Sequence, residues 1–158
     1  MESAIKSFMD SIEQINHHLY LSLIEICEPA DNVLKLLLAE AKMGGLKDSI
    51  RAGGVEIRDT QPIAVAEDSS VYEVTFDWYI AYSVRNESYT YLDKEEEFEG
   101  RLACIYTKSR FLDYVRISTL ASDEYPGPFK HYGFNCLNHI VDIVSADPPK
   151  IVELRFDR

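Results

Sequence analysis

A two-residue alternation of apolar side chains runs through residues 71–88, VYEVTFDWYIAYSVRNES, and leaves few folds open to this chain. From Tyr72 to Val84, large apolar or aromatic side chains occupy every second position, with other residues between them. This alternation predicts a β-strand with one buried face. At roughly 3.3 Å per residue, a strand of about 14 residues would exceed roughly 40 Å. We therefore expect it to be bent or coiled.

The alternation ends at Arg85-Asn86-Glu87-Ser88. Asn and Ser favour turns, and Arg85 and Glu87 are two positions apart, so their side chains would point the same way along an extended chain. One interpretation is a strand exit with a local ion pair. The other is that a concave sheet holds Arg85 as a clamp for an anion, because the guanidinium fork matches carboxylate and phosphate geometry.

The N-terminal region has helical spacing. Apolar residues recur every three or four positions along AIKSFMDSIEQINHHL and predict a first helix: Ile5, Phe8, Met9, Ile12, Ile15 and Leu19. A second helix is predicted from Pro29 to the stop at Gly44-Gly45, with a stripe of Val33, Leu34, Leu37, Leu38 and Ala41. Residues 19–27 fit either a helix or a strand.

The second half of the chain predicts an antiparallel meander. RLACIYT, FLDYVRIST, HYGFNCLNHIVDIVS and KIVELRF each suggest strands, and the ASDEYPGPFK segment suggests a loop. We therefore predict an α+β fold in which two N-terminal helices pack on a strongly curved antiparallel sheet of about six strands. Residues 1–158 would form one domain, with a helical part at 1–45 and a sheet part at 55–156.

The charge of the chain excludes some partners. A net charge of −11 over 158 residues repels phosphate backbones and anionic lipids, so we expect neither nucleic-acid binding nor membrane binding. No apolar run approaches the roughly 20 residues needed to cross a bilayer, and the N-terminus is too acidic for a secretory signal. The prediction is a cytoplasmic protein whose oligomeric state is open. Cys27, Cys104 and Cys136 are widely spaced and predict reduced thiols.

The negative charge concentrates in residues 87–99, ESYTYLDKEEEFE, where six acidic residues face one lysine. One interpretation is a solvated hairpin tip that protects a sheet edge. The functional interpretation, which leads here, is a non-catalytic interaction module, for example of the immunity or inhibitor type, that binds a basic protein. Its predicted contact residues are Glu87, Tyr89, Tyr91, Asp93, Glu95, Glu96, Glu97 and Glu99.

The alternative function is a small-ligand protein or a weak enzyme with a pocket between helices and sheet. Its polar groups would be Asp77, Tyr82, Arg85 and His139. Whether the chain is an enzyme stays open. No cofactor is expected, because Walker A, GxGxxG, GxSxG and HExxH motifs are absent.

No metal site is expected either. His131, Cys136 and His139 are ligand types, but strict strand alternation puts Cys136 on the face opposite the two histidines. The three side chains could then converge only around a bulge.

Four short sequence segments, taken together, resemble those of a family of uncharacterised bacterial cytosolic proteins. They are VRNES at 84–88, KSRFLDY at 108–114, YPG at 125–127 and HYGFNCLNHIVDIVS at 131–145. The resemblance covers roughly residues 55–150. It implies a bacterial cytosolic setting and no activity, so no catalytic residue follows from it.

Overall fold

In a computed structural model of the chain, residues 1–45 and 47–154 are described. They form two α-helices, one short 3₁₀ helix and twelve strands. In chain order these are α1 (Glu2–His17), β1 (Tyr20–Ala30), β2 (Val33–Met43), β3 (Asp48–Ala52), β4 (Val55–Thr60), β5 (Ile63–Ala64), β6 (Val71–Phe76), β7 (Tyr79–Asn86), the 3₁₀ helix (Glu87–Tyr89), β8 (Glu97–Gly100), β9 (Ala103–Lys108), α2 (Arg110–Ser118), β10 (Lys130–Asn135), β11 (His139–Ser145) and β12 (Lys150–Leu154).

The described strands form two five-stranded sheets and one hairpin. The first sheet has the order β1-β2-β6-β12, with β5 beside β2. The second sheet has the order β7-β11-β10-β9-β8, and β3 pairs only with β4. Neighbouring strands in both sheets are antiparallel, as the sequence predicts.

One hydrophobic core joins α1 to the inner faces of the two large sheets. Phe8, Ile12 and Ile15 of α1 are buried in it, at the spacing that predicted this helix. Inward-facing residues of both sheets complete the core, among them Leu34, Leu36, Val74, Phe134, Val141 and Ile143.

The predicted fold class is wrong. The chain is mainly β, and the expected second helix is strand β2, which pairs with β1 on one side and β6 on the other. Leu34, Leu36 and Leu38 alternate along β2 and are fully buried. A central strand with apolar residues on both faces also matches helical spacing, so periodicity does not separate the two. The open segment 19–27 belongs to strand β1 from Tyr20 onward.

The long alternating stretch is two strands, not one. Asp77 and Trp78 form a turn between β6, in the first sheet, and β7, in the second. The predicted meander is also wrong at FLDYVRIST, which lies in helix α2. Ser109 caps this helix by accepting a hydrogen bond from the Leu112 N–H at 3.0 Å, a preferred way to start a helix.

Asn16, near the end of α1, ties this helix to the second sheet. Its Oδ1 accepts hydrogen bonds from the backbone N–H groups of Arg101, Leu102 and Ala103 at 3.1, 2.8 and 2.9 Å. The preceding Gly100 has a φ of 101°, where a Cβ would lie 2.0 Å from the Ala103 carbonyl oxygen. Glycine therefore allows the tight β8–β9 connection that places both strands beside the site described below.

The predicted sheet part, 55–156, ends on two residues that lie outside the described ones. Across 1–45 and 47–154, neither helix has the length and apolar character needed to cross a membrane.

Candidate functional site

A cavity of about 610 Å³ lies on the outer face of the second sheet. Strands of this sheet form its floor, while the segment 90–96 and the start of α2 form its cover. The floor includes Ser83, Arg85, Tyr106, His131, Asn135 and Asp142, and the cover includes Tyr91, Leu92, Asp93, Arg110, Phe111 and Tyr114.

Strand register explains why these floor residues share one face. Asp142 of β11 lies opposite Gly133 of β10 and Ser83 of β7, and Gly133 lies opposite Cys104 of β9. Residues at these positions point outward, because their neighbours along each strand point into the core. A Cβ on Gly133 would lie 2.9 Å from the Tyr106 ring, so glycine leaves room for that ring on the sheet.

A chain of polar side chains crosses the floor. The Nδ1 of His131 lies 2.8 Å from the Ser109 hydroxyl, and its Nε2 lies 2.8 Å from Oδ1 of Asp142. Arg85 donates from Nε to Oδ2 of Asp142 at 3.0 Å, and its Nη2 lies 3.0 Å from the same oxygen. Ser109, His131 and Asp142 are only 2, 2 and 3% exposed. Buried polar groups of this kind are costly unless they are paired, and each of these has a partner.

Each ring nitrogen of His131 has one hydrogen-bonding partner. The Ser109 oxygen already accepts from the Leu112 N–H, so its own hydrogen is available for Nδ1 of His131. The ring then donates from Nε2 to the Asp142 carboxylate. The hydrogen positions follow from this network.

Serine, histidine and aspartate also form catalytic relays, but this arrangement has a different geometry. Ser109 caps α2, is buried, and lines a smaller neighbouring cavity of about 220 Å³ rather than the large one. A nucleophile needs its hydroxyl within reach of the substrate. The chain from Ser109 to Asp142 therefore acts as a support that orients Arg85 at the cavity.

Aromatic rings form a continuous wall beside this chain. Tyr106 stacks on His131 with ring centroids 4.1 Å apart and contacts Phe98 at 4.9 Å. The Phe111 ring meets the His131 ring edge-on, with ring centroids 5.4 Å apart. It is nearly parallel to the Tyr114 ring, with centroids 6.2 Å apart. Burial raises the pKa of the Tyr106 hydroxyl, so it stays protonated and uncharged at neutral pH.

The segment after β7 crosses from one edge of the second sheet to the other. It leaves β7 at one edge and enters β8 at the opposite edge. Asn86 starts it by accepting a hydrogen bond from the Ser88 N–H at 3.0 Å, and the Glu87 N–H donates to the Asn138 carbonyl at 3.2 Å. Residues 87–96 of the expected acidic hairpin thus form a crossing segment that covers the cavity, and residues 97–99 lie in β8.

Arg110, the first residue of α2, binds two acidic residues of this segment. Its Nε pairs with the Asp93 carboxylate, and its backbone N–H donates to the Glu96 carboxylate at 3.1 Å. The Glu95 backbone N–H, and next the Arg110 guanidinium, hold the pKa of Asp93 below its usual value. Asp93 therefore stays ionised as a fixed part of the cover.

The structure brings together residues from both predicted sets. Four members of the acidic set line the cavity: Glu87, Tyr91, Asp93 and Glu96. The other members, Tyr89, Glu95, Glu97 and Glu99, are exposed and outside the lining.

Of the pocket set, Arg85 alone lines the cavity. Asp77 pairs with Lys150 at 2.6 Å in the turn before β7, and Tyr82 packs against Tyr79 at 5.1 Å. His139 begins β11 and is half-buried outside the lining. The cavity lies between the second sheet and α2, not against the N-terminal helix.

Sequence reasoning missed the supporting role of Ser109, His131 and Asp142. A usable signal was present at Asp142, which stands among the apolar residues Ile140, Val141, Ile143 and Val144 of β11. Cys136, expected to oppose His131, follows the end of β10 and lines the same cavity. Burial raises the pKa of Cys104 to about 11 and of Cys136 to about 12, so both are protonated thiols.

Within the described part of the chain, no three His, Cys, Asp or Glu side chains are arranged to hold a metal ion.

No protein-family model, no curated protein and no solved structure matches this chain.

Proposed function

We propose that this protein binds a small molecule in the cavity on the outer face of the second sheet. The observation that carries the proposal is a cavity of about 610 Å³ with aromatic walls and a few convergent polar groups on its floor. Ligand sites typically enclose about 300 to 1,000 Å³ and have this mixture of apolar walls and fixed polar groups.

The choice of residues on the floor supports this proposal. The same sheet face carries Val144 where α2 packs on it, in an ordinary apolar cluster with Leu112 and Val115. Beside that cluster the face carries buried His131 and Asp142 instead. Local departures from an apolar core of this kind are typical of functional sites.

The position of Arg85 also supports the binding of a small molecule. Its bonds to Asp142 fix one side of the guanidinium, while half of the side chain stays exposed. A held but accessible polar group gives a ligand a fixed orientation without a large loss of side-chain freedom on binding.

The test is NMR mapping of a fragment library, with ¹H–¹⁵N spectra of the uniformly labelled protein. We expect some fragments to give saturable shifts at cavity residues such as Ser83, Asn135 and Ile140. Ser83→Leu should abolish these shifts by filling the cavity from the floor. Ser22→Leu is the matched control, because Ser22 is a half-buried serine of β1 in the first sheet. A library that produces no saturable shift at the cavity would overturn the proposal.

A second candidate function is binding of a basic protein by the acidic residues of the crossing segment and of β8. It is supported by the exposure of Tyr89 at 85%, together with the exposed carboxylates of Glu95, Glu97 and Glu99. Exposed tyrosines near acidic residues suit a polar interface with a basic partner.

Charge reversal tests this second candidate. Glu97→Lys with Glu99→Lys changes the surface while leaving Asp93 and Glu96 in place to hold Arg110. The expected result is a basic protein captured from the source organism's lysate at low salt and lost both at high salt and with the variant, because exposed charges are screened beyond about 10 Å. Capture that is unchanged by the reversal would exclude this function.

A further inference from the structure

We infer that the cavity takes a small organic cation, such as a methylated or aromatic ammonium compound. This inference rests on the proposed function, because it names the ligand class of the same cavity. It follows from the charges and from the aromatic rings that line the cavity.

Both arginines of the lining already have carboxylate partners. Arg85 places two nitrogens at 3.0 Å from Asp142, and Arg110 is paired with Asp93. The paired carboxylate offsets the charge of each guanidinium and repels an anionic ligand that approaches the remaining N–H groups. Drawing Arg85 away from the nearly fully buried Asp142 would be strongly unfavourable. The arginines therefore do not make this an anion site.

Two further carboxylates line the cavity without a cationic side chain at ion-pair distance. Within 1–45 and 47–154, Glu87 and Glu96 have no such partner, although Glu96 accepts the Arg110 backbone N–H. With Arg85 and Arg110 offset by Asp142 and Asp93, these two acids leave the lining with two more carboxylates than guanidinium groups. The whole chain, at −11, adds to this attraction for cations.

The aromatic wall also favours a positively charged ligand. Phe98, Tyr106, Phe111 and Tyr114 line the cavity, and Tyr91 joins them from the crossing segment. The face of an aromatic ring carries negative quadrupole charge and attracts an ammonium group, and aromatic cages bind methylated ammonium ligands in this way.

The size of the cavity favours an ammonium group that carries a larger substituent. At about 610 Å³ the space is much larger than one ammonium group needs. A benzyl-sized group can fill the remainder against the apolar side chains of Leu92 and Ile140.

Three probes that share one ring test the inference: benzyltrimethylammonium, benzyl alcohol and benzoate, titrated into the full chain by calorimetry or NMR at one ionic strength. We expect the cation to bind roughly tenfold more tightly than the neutral alcohol, with benzoate the weakest. Tightest binding by benzoate, or equal binding of all three, would overturn the inference and leave the proposed function standing.

Two glutamate variants test whether the cation is attracted by the cavity or only by the overall charge of the chain. Glu87→Gln should weaken the cation roughly threefold to tenfold and leave benzyl alcohol unchanged. Glu13→Gln, at an exposed acid on α1, removes the same net charge and should change neither. Equal effects of the two variants would mean that only the overall charge attracts the cation, against the inference.

The contribution of the rings is tested at Tyr91, which is 79% exposed, so its replacement leaves the fold intact. Tyr91→Phe should keep cation binding, and Tyr91→Leu should lose part of it. If none of the three probes binds, the ligand class is wrong; the proposed function fails as well only if the fragment library also gives no shift at the cavity.

Discussion

The two faces of the second sheet are both covered, but by different chemistry. The inner face carries Phe134, Val141 and Ile143, which pack against α1 and the first sheet. The outer face carries His131 and Asp142, buried to the same degree beneath α2 and the crossing segment. Burial alone therefore does not distinguish the face that forms the core from the face that carries the candidate site. The distinction is whether the buried groups need polar partners, which must be supplied from distant parts of the chain.

The largest effect is expected on the inner face. Phe134→Ala removes a ring that is 1% exposed and leaves a void in the shared core. We expect the free energy of unfolding to fall by about 3 to 5 kcal/mol, measured by urea denaturation. Phe134→Leu, which keeps more of the volume, should cost clearly less. Equal losses for the two variants would mean that the inner face does not depend on tight packing.

The next effect is expected on the outer face. Asp142→Asn keeps the shape but offers His131 and Arg85 a single neutral acceptor, and we expect a loss of roughly 2 to 3 kcal/mol in the free energy of unfolding. Glu73→Gln is the control, because Glu73 pairs with Lys35 at 3.8 Å in a partly exposed position. That variant should cost at most about 1 kcal/mol. A loss at Asp142 no larger than at Glu73 would contradict the supporting role of the buried network.

A pH dependence is expected from the two buried thiols. The pKa of Cys104 is raised from 9.0 to about 11, and that of Cys136 from 9.0 to about 12, both by burial. Because the folded-state pKa lies above the unfolded value, the stabilisation is fully present below about pH 9 and is lost as the pH rises toward 11 to 12. Between pH 7.5 and 9.5 the free energy of unfolding should fall by roughly 1.5 kcal/mol.

Urea denaturation at the two pH values measures this change. The double variant Cys104→Ala with Cys136→Ala should be less stable at both values but show a smaller decrease between them. A decrease of the same size in the double variant would assign the pH dependence to other groups.

The smallest effect is expected at the start of α2. Ser109→Ala removes the helix cap and the hydroxyl beside His131, at a cost of about 1 kcal/mol. Ser109→Thr keeps the hydroxyl and should retain most of the stability. An unchanged unfolding midpoint for Ser109→Ala would contradict the assigned cap.

The elements that sequence reasoning predicted are those with a clear local pattern. Phe8, Ile12 and Ile15 mark α1 at helical spacing, and Tyr72, Val74 and Phe76 mark β6 by alternation. Strand β2 was predicted as a helix because its apolar residues, buried between two neighbouring strands, match both periods.

The candidate site was predicted only in part, because its contacts join distant positions. Arg85 was a candidate from the sequence, but its partner Asp142 lies 57 positions away, and His131 meets Ser109 across 22 positions. No local pattern encodes such pairs. The acidic residues were predicted to meet a partner protein, whereas Asp93 and Glu96 hold Arg110 of the same chain.

Four features can be read from the chain alone: the strongly acidic charge, the amphipathic first helix, the alternation of β6 and β7, and the presence of Arg85 at the end of a strand. These depend on residue type and short-range spacing. Tertiary structure alone decided that β7 and β8 lie at opposite edges of one sheet, so that the segment between them must cross the sheet. That crossing covers the outer face, and polar residues from separate segments of the chain then line one cavity.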